Sequence, residues 1–242
     1  MRIKFITLTC EKYHNTRVSK IRETWGSHQD ISFLSDMNVG DDIIGYDYLP
    51  KGYENIHYKY SEFFRNYSNM SYDWYFFTDD DTYVNIGNVE KLLEEYNPSD
   101  PICIGICGEL NPDATDKDGN YTGFPLHTIR GSGVELPLKY VGGGAGFILS
   151  VKSMKVINRY LSELDTDDIP RCYNSDVTIG FWMRGSMINL INTTGFWWTT
   201  PNNLGHNDDD IKNSYTYHYV NEKMMNELYE KLHNNTSKGS IK

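Results

Sequence analysis

The apolar positions of this chain change their period as it runs. Residues 3–9 carry the short apolar stretch of a strand, after which Val18, Ile21 and Trp25 recur at i, i+3 and i+7, the spacing of one helical face. Ile31-Ser32-Phe33-Leu34-Ser35 predicts a second strand that ends on an acid, Asp36. Tyr60, Phe63, Phe64 and Tyr67 then share a helical face, and Ile86, Val89, Leu92, Leu93 and Tyr96 mark a later helix. Between them Trp74-Tyr75-Phe76-Phe77 has the length and aromatic content of a buried strand. Strand and helix alternate, which predicts an α/β chain with a mostly parallel central sheet, flanked by helices and joined by right-handed crossovers.

The second half is less regular. From Gly108 to Pro137 turn formers such as Asn111-Pro112, Asp118-Gly119-Asn120 and Gly131-Ser132-Gly133 predict one long loop, a feature that often serves function. Tyr140-Val141 leads into Gly142-Gly143-Gly144-Ala145-Gly146 and leaves through Phe147-Ile148-Leu149. Met154, Ile157, Leu161 and Leu164 share a helical face, a further helix starts near Ser175 or Asp176, and a last one carries Met224, Leu228 and Leu232. No linker or internal repeat divides the chain, so residues 1–232 are expected to form a single domain and 233–242 a loose tail.

Composition sharpens this picture. The sequence has 242 residues, 39% of them hydrophobic and 14% aromatic, enough for a packed core. Its net charge of −10 argues against nucleic acid or an anionic membrane as partner. The apolar stretch after Met1 is too short and interrupted for a signal peptide or a membrane span, so the chain reads as soluble and cytoplasmic. Cys10, Cys103, Cys107 and Cys172 form neither a CxxC pair nor a dense scaffold, and free buried thiols are expected.

The strongest chemical signal is Asp79-Asp80-Asp81, set directly after the apolar strand. In extended chain Asp79 and Asp81 share a face while Asp80 points elsewhere, so the outer pair can converge on one cation. Two carboxylates so close repel unless positive charge lies between them, and Mg²⁺ or Mn²⁺ held by one or two carboxylates plus substrate phosphates meets that need. The plain alternative is a solvated acidic turn. Position at the carboxyl end of a buried strand, where open α/β sheets bind ligands, favours the metal.

Other candidates carry plain readings too. Asp176, in Asn174-Ser175-Asp176, is either a cap or first-turn acid of a helix or a general base. Asp208-Asp209-Asp210 follows no apolar strand and is expected in a solvated loop, with His206 structural or exposed beside it. His218, in Tyr215-Thr216-Tyr217-His218-Tyr219-Val220, is either the polar side chain of an aromatic strand or a metal ligand. The glycine run does not spell a dinucleotide-binding fingerprint, and Asp116-Lys117-Asp118-Gly119-Asn120 lacks the spacing of a calcium loop.

Taken in order, the chain carries Thr9 with His14 and Arg17, Glu23-Thr24-Trp25, Phe33-Leu34-Ser35-Asp36, Lys59, Asp73-Trp74, Asp79-Asp80-Asp81-Thr82-Tyr83-Val84, Gly143-Gly144-Ala145-Gly146-Phe147, Ser175-Asp176-Val177 and Tyr217-His218-Tyr219-Val220. This ordered set resembles the Fringe and core 1 β1,3-galactosyltransferase family of inverting glycosyltransferases, which have the glycosyltransferase-A fold. The resemblance implies that Thr9, Arg17 and Asp36 line a uridine pocket, with Lys59 near the nucleotide. It implies that Asp80 touches donor sugar or ribose, that Asp81 and His218 chelate Mn²⁺, and that Asp176 is the catalytic base. Gly143 and Gly144 would sit beside the transferred sugar. Animal members of the family usually carry an N-terminal membrane anchor, which this sequence does not show.

The expected function is therefore metal-dependent transfer of a hexose from a UDP-sugar to a hydroxyl of a glycan or glycoconjugate, with a β-1,3 linkage implied by the resemblance. Two rivals belong to other classes. One is a glycan-binding or regulatory protein that keeps the fold without turnover; the other is a metal-dependent phosphohydrolase, which would not need a uridine pocket.

Overall fold

The structure, a computed structural model, describes residues 1–110, 137–165, 168–169 and 174–233. Its strands are β1 (Ile3–Leu8), β2 (Ile31–Ser35), β3 (Ile43–Gly45), β4 (Trp74–Asp79), β5 (Tyr83–Val84) and β6 (Ile102–Gly105). They continue with β7 (Cys107–Leu110), β8 (Leu138–Val141), β9 (Phe147–Ser150), β10 (Asn189–Asn192), β11 (Phe196–Trp197) and β12 (Thr216–Tyr217). The α-helices are α1 (Ser19–Glu23), α2 (Ile56–Asn66), α3 (Ile86–Leu93), α4 (Val151–Ser162), α5 (Ser175–Gly185), α6 (Pro201–Leu204), α7 (Asp208–Asn213) and α8 (Glu222–His233).

A central sheet runs in the order β10-β6-β9-β4-β1-β2-β3. It is mostly parallel, as the alternating pattern predicts: β1 pairs in parallel with β2 and β4, β2 with β3, and β6 with β10, whereas β9 runs antiparallel between β4 and β6. The period of two along β1 and β4 sorts the core into two layers. Ile6, Leu8, Tyr75 and Phe77 face a cluster that includes Phe63 and Phe64 of α2, Met154 and Ile157 of α4 and Trp182 of α5. Phe5, Trp74 and Phe76 face the opposite cluster, with Trp25, Val89 and Leu92 of α3 and Met225 and Leu228 of α8. Both faces of the central strands are covered, which is why those strands read as near-continuous apolar runs.

Several expectations move. The first helical segment opens with a 3-10 turn at Glu11–Tyr13 and a π turn at His14–Val18 before α1, and α1 ends at Glu23, short of Trp25. The expected loop starting at Gly108 begins later, because Cys107–Leu110 pairs antiparallel with Leu138–Val141; residues 111–136 of that loop lie outside the described residues. Asp208, Asp209 and Asp210 form the first turn of α7 rather than a loop: Asn207 accepts from the amides of Asp209 and Asp210, and Asp210 accepts from the Asn207 amide, a reciprocal cap. Helix α8 extends through His233, and the remaining tail residues 234–242 are not described. Among the described cysteines only Cys103 is buried; Cys10 and Cys107 are partly exposed, all three are free thiols, and Cys172 is not described. No described helix is long and apolar enough to cross a membrane.

Candidate active site

Parallel register brings three strand ends to one edge of the sheet. Leu8 lies opposite both Leu34 and Asp79, so Thr9 after β1, Asp36 after β2 and the acids at the end of β4 gather side by side. The acids divide as expected, but a turn rather than strand alternation does it: β4 ends at Asp79, Asp80 and Asp81 form a turn, and the Thr82 amide donates to the Asp79 carbonyl at 3.1 Å. Asp80 turns inward, where its Oδ2 accepts from the Thr9 hydroxyl at 2.7 Å and its Oδ1 from Arg17 Nη1 at 2.7 Å. Asp79 and Asp81 turn toward His218, whose Nε2 lies 3.6 Å from Asp79 Oδ2 and 3.1 Å from Asp81 Oδ1.

His218 reaches this position through a small second sheet that sequence patterning did not predict. Strand β12 pairs antiparallel with β5, directly after the acids, and parallel with β11. The Val220 amide donates to the Asp81 carbonyl at 2.9 Å, and the His218 amide to the Trp197 carbonyl at 3.0 Å. The chain between these bonds carries the imidazole over the acids. Tyr219 is left at φ 58°, an uncommon backbone for a non-glycine residue.

The glycine run supplies the opposite wall. Gly146, at φ 87°, closes a turn in which its amide donates to the Gly143 carbonyl at 2.9 Å. Thr82 and Thr216 hydroxyls hold the Gly144 and Ala145 carbonyls at 2.7 and 2.5 Å. A Cβ on Gly144 would lie 2.1 Å from His218 Cε1, and one on Gly143 would lie 2.7 Å from Asp176 Oδ1. The two glycines are therefore required by the close approach of the histidine and of Asp176, beyond any contact with a ligand.

Asp176 is not the cap of its helix. Asn174 caps α5, its side chain accepting from the amides of Asp176 and Val177, so Asp176 stands in the first turn with its carboxyl partly buried against Gly143. Burial raises its pKa, opposed by the Gly143 amide, by His218 and by Ser175. Burial likewise pushes Asp79 up to about 7, although 29% of that side chain meets solvent, with the His218 charge working in the other direction. Asp81 is pushed down despite burial, because His218 bonds to it and Arg17 adds positive charge. His218 is raised: bonding to Asp81 and the surrounding acids outweigh its burial.

Two adjoining cavities meet at these groups. The larger, of about 450 Å³, is lined by Thr9, Cys10, Tyr13, Arg17, Asp36, Tyr53, Lys59 and the three acids. Within it Asp36 Oδ1 accepts from the Glu11 amide at 2.7 Å, and Lys59 Nζ donates to the Thr9 carbonyl at 3.0 Å. Desolvation lowers the Lys59 pKa against the pull of Asp36. The smaller cavity, of about 190 Å³, is lined by Gly142, Gly143, Gly144, Ser175, Asp176, Tyr60 and the exposed Trp198. Asp79, His218 and Tyr219 line both. Every residue that the family resemblance singled out for the nucleotide, the metal or the base thus lines one of these two cavities, whereas His206, Asp208, Asp209 and Asp210 line neither; His206 is bonded through Nδ1 to the Tyr217 hydroxyl at 2.8 Å. Sequence reasoning missed Tyr13, Cys10 and Trp198, isolated residues that carry no spacing signal.

Asp79, Asp81 and His218 can each offer a ligand atom within 4.8 Å of the others'. Two carboxylate oxygens and one imidazole nitrogen suit Mn²⁺ and fit Mg²⁺ less well, since the nitrogen donor favours the softer ion.

Comparisons with known proteins identify the family and the fold. A sequence model of the Fringe-like family matches residues 2–236. A mouse "Beta-1,3-glucosyltransferase" is 27% identical over 172 residues, 69% of this chain and 29% of that protein. Its human counterpart is 25% identical over the same share of both. The chain thus spans less than a third of the length of these curated relatives. Among solved structures, the "WbbM bifunctional glycosytransferase apo structure" superposes with a TM-score of 0.51 at 11% identity, covering 96% of this chain and 50% of that one, a likeness of fold.

Proposed function

Because this chain belongs to the Fringe-like family and has the glycosyltransferase-A fold, we propose that it transfers a hexose from a UDP-sugar to a hydroxyl of a glycan or glycoconjugate, inverting the anomeric centre. One observation carries the reading. Asp79 and His218 stand at the junction of two cavities, with Asp36 and Lys59 lining only the larger and Asp176 only the smaller. A donor lying across that junction has its nucleotide on one side and its reacting sugar carbon facing Asp176, which is the division an inverting displacement requires.

In this reading Thr9, Arg17, Asp36 and Lys59 bind the nucleotide, and Asp80 braces the first two of them. Asp79, Asp81 and His218 would hold Mn²⁺ or Mg²⁺. A divalent ion bound there supplies positive charge that stabilises the departing diphosphate. Asp176 takes the proton of the acceptor hydroxyl at a carboxylate oxygen as the hydroxyl oxygen bonds to the anomeric carbon and the bond to the diphosphate oxygen breaks. The Gly143 amide, acting on the Asp176 carboxylate, keeps that base oriented. Gly143 and Gly144 leave room for the sugar against the same wall. The names of the curated relatives support a β-1,3 linkage and make UDP-glucose the first donor to try.

The test is a screen of UDP-sugars for UDP release, with Mn²⁺ or EDTA and with or without sugar acceptors. Release from one UDP-hexose that requires both metal and acceptor supports the proposal. Failure of every UDP-sugar to bind calorimetrically in the presence of Mn²⁺ would overturn it.

A further inference from the structure

Besides His218, Arg17 is the only cation ion-paired with the acid triple among the described residues, and its geometry is unlike that of a simple nucleotide contact. The π turn at His14–Val18 sets the direction of its side chain, a feature that recurs at functional sites. Its Nη1 is shared between Asp80 Oδ1 at 2.7 Å and Asp81 Oδ2 at 3.2 Å. The Tyr13 ring lies under the guanidinium, 4.0 Å from Cζ to the ring centroid. The group is 29% exposed and lines the larger cavity.

Asp81 therefore has both oxygens engaged, Oδ2 by Arg17 and Oδ1 by His218. A divalent ion that ligates Asp81 must share that carboxylate with a fixed positive charge, and at such short range like charges oppose each other strongly even at an effective dielectric of about 20. A guanidinium carries five N–H donors. Nη1 serves the acids, and the Nε and Nη2 donors have no protein acceptor among the described residues. They are free to take a phosphate oxygen in the bidentate geometry that arginine favours.

We propose that Arg17 makes metal binding conditional on the nucleotide: it opposes the ion when the ion comes alone and favours it when a diphosphate arrives to accept the guanidinium. The device holds back a free metal ion until its substrate is present. It rests on the proposed function for the identity of the nucleotide, but not for the response to metal alone.

The experiment measures Mn²⁺ affinity of the whole chain by calorimetry, with Mn²⁺ alone and with Mn²⁺ plus saturating UDP, for the wild type, Arg17→Gln and Arg17→Lys. In Arg17→Gln, Mn²⁺ alone should bind about tenfold tighter or more, because the opposing charge is gone. The gain in Mn²⁺ affinity on adding UDP should shrink by a similar factor. Arg17→Lys keeps the charge and should bind Mn²⁺ alone as the wild type does. Unchanged affinity of Arg17→Gln for Mn²⁺ alone overturns the proposal and leaves Arg17 a nucleotide contact; weaker affinity overturns it in favour of Arg17 as a scaffold for the acids. Circular dichroism of each variant checks folding, and if Arg17→Gln does not fold, Arg17→Met in the same titration decides. If UDP fails to bind the wild type, the proposed function fails, while the Mn²⁺-alone arm still judges Arg17.

Discussion

Gly143 and Gly144 sit side by side, yet each answers to a different partner. A methyl on Gly144 would strike the His218 ring, and a methyl on Gly143 would strike the Asp176 carboxylate. Gly144→Ala is therefore expected to weaken Mn²⁺ binding by about 10- to 100-fold, the usual cost of disturbing a ligand's surroundings. Gly143→Ala should leave Mn²⁺ binding nearly unchanged and slow transfer. Titration of both variants with Mn²⁺ checks the separation; equal losses would mean that the turn moves as a unit. Asp176→Asn removes only the proton acceptor, because Asn174 already caps α5. Transfer should fall by roughly 10²- to 10⁴-fold, with UDP and Mn²⁺ affinities kept and little change in Tm. Turnover near the wild-type rate would remove Asp176 from the mechanism. Since burial raises the Asp176 pKa and the base must be ionised, kcat/KM of the wild type should rise as pH climbs through that pKa, and a profile falling over the same acid limb would contradict the role.

At the scale of elements, the two-residue strands β5, β11 and β12 do what no long strand does here, bringing the C-terminal histidine to the acids. Patterning offered a strand around His218 as one of two readings, but neither its partners β5 and β11 nor their pairing. Tyr83-Val84 and Thr216-Tyr217 are too short to show a period of two, and they pair with each other across more than a hundred positions, Thr216-Tyr217 pairing also with Phe196-Trp197, so pairing rather than period defines them. The middle of the central sheet was legible because β1 and β4 are buried on both faces and read as apolar runs, whereas the short strands β3, β6 and β10 were not read from the sequence. The grouping of Asp79 with Asp81 was foretold, but for the wrong reason, since a turn at Asp80-Asp81 rather than continued alternation produces it; placing His218 needed the family resemblance. The expectation of a loop at Asp208–Asp210 failed because Asn207 and Asp210 cap each other locally, a signal hidden by the absence of a preceding apolar strand. His206 belongs to the support of β12: Tyr217 links it to Ser214, which also accepts from the Trp197 indole at 2.8 Å. His206→Ala should thus cost about 1 kcal/mol, a Tm loss of ~2–4 °C for a domain of this size. Mn²⁺ affinity should stay within about twofold. A large loss of Mn²⁺ binding without a loss of Tm would instead place His206 in the metal site.

For the molecule as a whole, the site is a concentration of charge that folding must tolerate and that pH should expose. The chain carries a net charge of −10, and Asp79, Asp80, Asp81 and Asp176 converge where Arg17 and His218 are the only cations ion-paired with the triple among the described residues, with Lys59 adding positive charge near Asp80. Asp79 titrates at about 7 when folded against 3.8 when unfolded, so the folded state binds its proton more tightly. Stability from this group is fully present below 3.8 and is lost as pH rises through about 7. His218 has the same sign: its raised pKa gives stability below its ordinary value of 6.5, lost as pH rises through the folded value. Asp81 has the opposite sign, but its lowered pKa acts below 3.8. These protons are shared in one cluster and titrate together. With EDTA present, Tm should therefore fall as pH rises from about 5 to about 8. Saturating Mn²⁺ should raise Tm by an amount that grows over the same interval, because ionised ligands bind the metal and protons compete with it. Melting curves at fixed ionic strength across this range, with EDTA or Mn²⁺, check both slopes. General repulsion from the net charge also lowers Tm with rising pH, but it acts in any variant. Asp79→Asn separates the two causes: it should flatten the EDTA slope and reduce the Mn²⁺ increment, and an unaltered slope would assign the effect to the surface rather than to the cluster at the strand ends.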